Sequence, residues 1–97
     1  MSEESSFAPP PFKAGEALVR LKRSLRDLRP LAERGDGFEL QGKPVVALAL
    51  EDAGIAARLA RRPSHTPEWD RYALKNSADA RKLVDEVRKR LARWIEE

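Results

Sequence analysis

The chain has 97 residues, of which 41% are hydrophobic and 36% charged, and it carries a formal net charge of +3. A chain of this length buries only roughly 60 to 70% of its unfolded surface, which leaves room for one modest core and none for a second. With no cysteine the composition excludes a disulfide framework and a thiolate metal site, and a single histidine, His65, argues against a protein-built zinc site.

No apolar run approaches the length of a membrane span, and the opening MSEESSFAPPPF lacks the basic end and apolar centre of a signal peptide. The expectation is a soluble cytoplasmic protein without a metal, a cofactor or a membrane partner. Its charge is unevenly spread: residues 13 to 34 hold seven bases against three acids, and residues 35 to 53 one base against four acids. Arg58, Arg61 and Arg62 then stand without an acid nearby in sequence.

Residues 1–12 combine serine, glutamate and the run Pro9-Pro10-Pro11, a composition that favours a flexible, extended arm. The remainder, 13–97, reads as a single α+β domain. Leu18, Leu21, Leu25, Leu28 and Ala32 recur at steps of three and four, with Arg20, Lys22, Arg23, Arg26 and Arg29 between them. This spacing predicts a long amphipathic helix from about Ala14 to Leu28 with a basic back. Pro30 ends it or opens one last short turn through Glu33.

Gly35-Asp36-Gly37 marks a turn, after which Phe38 and Leu40 alternate with Glu39 and Gln41. A two-stranded hairpin turning at Gly42 follows, its second strand placing Val46, Leu48 and Leu50 on a bulky face and Val45, Ala47 and Ala49 on a small one. The competing reading makes 44–62 one helix opened by Pro44. Under the hairpin reading, Glu51 and Asp52 cap a short helix carrying Ile55, Ala56, Leu59 and Ala60, which Pro63 ends. Thr66-Pro67-Glu68-Trp69 looks like the start of another, reaching Leu74 or Lys75, because threonine caps and proline suits the first helical position. Asn76 or Ser77 caps the last helix, with Ala80, Leu83, Val84, Val87, Leu91, Trp94 and Ile95 on its apolar stripe. The predicted fold is α+β: a long N-terminal helix, a hairpin, then two to three C-terminal helices.

The catalytic inventory is thin. His65 lies in a proline-bounded linker with no nucleophile motif beside it, and Glu51 and Asp52 read as a helix cap rather than an acid and base pair. Gly42-Lys43 is a turn and not a phosphate-cradling loop. These features predict a non-enzyme.

Two functions remain. A lone hairpin is marginal in water and must pack or extend its edge, so the leading expectation is a protein-interaction or assembly module, a homodimer or an adaptor. Trp69, Tyr72 and Trp94 are its candidate contact residues, with core closure as the competing use. The alternative is a nucleic-acid-binding module using Lys22, Arg26, Arg29, Arg58, Arg61 and Arg62 against phosphates. Ordinary surface charge competes with that account, since several bases have acids three or four residues away.

The stretch Leu25 to Leu59 runs helix, turn at Gly35 to Gly37, strand, Gly42-Lys43-Pro44, apolar strand Val45 to Leu50, then helix. It resembles the helix-hairpin-helix middle of the Phd/YefM-type antitoxins over about a third of the chain. The resemblance implies a dimeric DNA-binding and toxin-neutralising protein. That family begins with a strand where this chain has Pro9 to Pro11.

Overall fold

The computed structural model describes residues 13–52 and 54–96, so the expected arm at 1–12 lies outside the described residues. Helix α1 (Ala14–Arg26) leads into five strands, β1 (Ala32–Arg34), β2 (Gly37–Leu40), β3 (Lys43–Glu51), β4 (Gly54–Ala60) and β5 (Trp69–Leu74). Helix α2 (Ser77–Glu96) closes the chain. The strands form one antiparallel sheet in sequence order, each paired with its chain neighbours.

This corrects the expected hairpin followed by two to three helices. The hairpin at Gly42 is present as β2–β3, but it is the middle of a five-stranded meander, and α2 is the only helix after it among the described residues. Segment 54–60 is strand, neither a short helix nor part of a long one from Pro44. Ile55 and Leu59 are four apart, which suits a helix. Ile55, Ala57 and Leu59 also alternate, and pairing on both sides of β4 selects the strand. Segment 69–74 is likewise strand: Thr66 and Pro67 lie in a loop, where the Thr66 amide donates to Ser64 Oγ at 3.1 Å. Residues 32–34 form β1 rather than a last helical turn. The helix that the antitoxin resemblance required after Leu50 is therefore β4.

Tight turns make the meander. Gln41 and Gly42 both have positive φ, 55° and 82°, as a two-residue type I′ hairpin needs for its twist to match that of the flanking strands. Between Phe38 and Glu39 the register against β3 shifts, Phe38 opposing Val46 and Glu39 opposing Pro44. The extra residue, Val45, is fully buried, so the bulge takes it out of the alternation that placed it with Ala47 and Ala49.

Directly opposed residues share a sheet face, so the register sorts the side chains. The inner face carries Phe38, Val46, Leu48, Ile55, Ala57, Leu59 and Leu74. Leu21 and Leu25 of α1 and Leu83, Val87, Leu91 and Trp94 of α2 join them in one core. Both helices pack on this face and against each other. Asn76 caps α2 through its side-chain oxygen, which accepts from the Asp79 amide at 2.8 Å. The other face, carrying Gly37, Ala47, Ala49, Ala56, Arg58, Trp69, Arg71 and Ala73, has no layer over it among the described residues.

Candidate nucleic-acid interface

One row of the outer face crosses the whole sheet: Arg34 opposes Gly37, Gly37 opposes Ala47, Ala47 opposes Arg58, and Arg58 opposes Arg71. With neighbouring strands about 4.8 Å apart, the row spans roughly 19 Å. Arg58 and Arg71 occupy directly facing positions on β4 and β5, where like charges repel. Both are exposed, and among the described residues neither forms an ion pair. Arg34 stands 3.9 Å from Glu39 and is open to solvent.

Beside this row the surface is made of small residues. Ala49 opposes Ala56 and Ala56 opposes Ala73, so three adjacent strands present methyl groups where a sheet normally carries bulk. A shallow concavity of about 310 Å³ lies here, floored by Ala47, Ala49 and Ala56, with Arg58, Arg71 and Glu51 at its rim. On the other side of the row Trp69 opposes Ala60, and the Arg58 guanidinium sits 5.6 Å from the centre of the indole ring, within cation–π range.

The other bases named from sequence are placed differently. Lys22 and Arg26 lie on α1, in the helical layer, and each is answered by a carboxylate: Lys22 by Asp36 at 3.0 Å and Arg26 by Glu33 at 2.8 Å. Arg29 is exposed just past the end of α1. The helix cluster and Arg58 are thus on opposite layers of the molecule.

Arg61 belongs to an internal tie. Its guanidinium donates to Asp70 at 2.9 Å and to Glu68 at 3.3 Å, while Arg90 of α2 reaches Asp70 at 3.0 Å and Glu86 at 2.8 Å. Hydrogen bonding to Asp70 holds the Arg61 guanidinium above its ordinary range, and the same bond to Arg61, with help from Arg90, holds the Asp70 carboxyl below its own. Arg90 is partly buried, which works against its charge, yet bonds to Glu86 and Asp70 keep its pKa raised. Arg62 and His65 are exposed in the loop between β4 and β5, where Arg62 borders a concavity of about 380 Å³ with Ser64 and Thr66.

The three aromatic residues also separate. Trp94 is in the core, its indole N–H donating to the Arg61 carbonyl at 3.4 Å, and the Tyr72 hydroxyl accepts from Arg90 at 3.0 Å on the inner face. Only Trp69 of the three is on the open face. Sequence reasoning missed Arg71 and the alanine floor. The signal was the alternation Trp69, Arg71, Ala73 against Asp70, Tyr72, Leu74, which the Thr66-Pro67 helix signal obscured.

No known protein family, curated protein or solved structure matches this chain.

Proposed function

We propose that the chain is a non-catalytic nucleic-acid-binding module whose working surface is the open face of its sheet. The observation that carries this reading is the facing pair Arg58 and Arg71, exposed and in no ion pair among the described residues, with Glu51 the one carboxylate on the rim of their concavity. Holding two guanidinium groups at directly opposed positions costs stability in the free protein. A phosphate between them turns that cost into affinity. The cations proposed from the helix, Lys22 and Arg26, already have acidic partners and fit this role less well.

Anisotropy titrations with labelled oligonucleotides, single-stranded and duplex, at 50 and 200 mM salt, test the reading. Two to three phosphate contacts weaken binding by between about sevenfold and about fortyfold over that range. Replacing Arg58 and Arg71 together by glutamine removes most of the binding and flattens its salt dependence. Undetectable binding to both forms at low salt contradicts the proposal.

The role as an assembly module is the second reading, because an alanine-floored sheet face also suits a second sheet. A two-fold contact centred on this row brings Arg58 and Arg71 toward their own symmetry mates, which disfavours it unless acids intervene. Sedimentation that reports a dimer, together with no binding to nucleic acid, favours this second reading.

A further inference from the structure

We infer that the strand this face receives is single, with Trp69 as the platform on which a base stacks; the inference rests on the nucleic-acid reading above. A duplex is read by an element that projects into a groove, usually a helix or a two-stranded ribbon. The outer face projects nothing of that kind: its central positions are Ala47, Ala49, Ala56 and Ala73, whose side chains end one carbon from the backbone. A surface of this shape leaves room above it, and unpaired bases are flat apolar bodies that fill such room.

Trp69 supplies what the alanines lack. It is half-buried, opposite the fully buried Ala60, and so part of the indole covers the sheet while the rest stays open. Unlike Trp94, which is buried in the core, Trp69 only packs against the core's edge and keeps part of its ring exposed. The Arg58 guanidinium lies over the ring at 5.6 Å, which places a planar cation and an aromatic surface together at one end of the row. Bases stack on both kinds of surface, and the cation beside them meets the backbone phosphate. Arg71, directly across from Arg58, supplies the next phosphate contact along the strand.

The test is a fluorescence and anisotropy titration of the whole chain with a thymine-only 15-mer and with a mixed duplex of the same length. The inference expects tighter binding of the single strand and quenching of indole emission. Trp69→Phe removes that quenching while keeping most of the affinity, and Trp69→Ala weakens single-strand binding by between about five- and about a hundredfold. Circular dichroism of Trp69→Ala checks its folding, and Trp69→Phe carries the argument if that variant unfolds.

If the duplex binds as tightly as the single strand, without quenching and still dependent on Arg58 and Arg71, the single-strand inference is overturned while the nucleic-acid reading survives. If neither oligonucleotide binds at low salt, both are overturned. Equal affinity of folded Trp69→Ala and the unaltered chain for the single strand also overturns the stacking role.

Discussion

The two faces of the sheet come from the same five strands and differ in nearly every physical respect. The inner face is large and aliphatic, and two helices press on it. The outer face is small-residued, positively charged at its centre and open. Because side chains alternate strictly along a strand, β4 alone carries both characters, with Ile55, Ala57 and Leu59 inward and Ala56 and Arg58 outward. The lesson is that stability and binding are written on alternate residues of one segment, so substitutions one position apart should separate them.

The largest separation is expected between Leu25 and Arg58. Leu25, on the inward side of α1, is fully buried, and Leu25→Ala should cost about 2–5 kcal/mol, read from the midpoint of urea unfolding. Arg58→Gln should stay within about 0.5 kcal/mol of the unaltered stability, as expected for an exposed position, while weakening oligonucleotide binding severalfold. A large stability loss from Arg58→Gln would break the division between faces.

Arg71→Glu sharpens it further. The substitution replaces a facing pair of like charges by a pair of opposite ones, so stability should rise by about 0.2–1 kcal/mol while nucleic-acid binding falls. Thermal unfolding and a binding titration on the same sample check both signs. Stability and affinity moving together would mean that the row is structural.

The smallest effect belongs to the tie on the inner side. The Asp70 carboxyl is held below its ordinary value by Arg61 and Arg90, so its contribution is full above the unfolded-state pKa of about 4 and is lost as pH falls through the lower, folded-state value. Asp70→Asn should therefore destabilise modestly at neutral pH and flatten the acid limb of the stability curve. A difference between the two proteins that persists undiminished in strong acid would remove Asp70 from that limb. The affinity of the open face at neutral pH should be unaffected.

Legibility in the sequence followed the range of the interactions. Helix α1 and the last helix were readable because their apolar periodicity is local and long, and the Asn76 cap was readable from its residue type. The hairpin at Gly42 is readable because a glycine sits between two alternating segments, whereas the positive φ of Gln41 has no signal in its residue type. Strands β4 and β5 were not. Ala56 to Arg62 is built from alanine, leucine and arginine, the best helix formers, and only pairing with β3 and β5 overrides that preference. The site followed the same rule. Arg58 stands out in the sequence by its charge, but its facing partner Arg71 is thirteen residues away across a loop, and nothing local announces that register. The bases of α1 are conspicuous in the sequence by their number, but their partners Glu33 and Asp36 come from the β1–β2 region, which only the fold of the meander brings to the helix.

The central claim, that the open sheet face is the working surface, is tested most directly by residue-resolved amide shifts of the labelled protein titrated with a thymine-only 15-mer at low salt. The account predicts shifts concentrated on Arg34, Ala47, Arg58, Trp69 and Arg71, fading as salt is raised. Shifts centred instead on Lys22, Arg26 and Arg29, or on the groove of about 360 Å³ that Ala17, Leu21, Ala80 and Val84 line, would place the surface on the helical layer and contradict it.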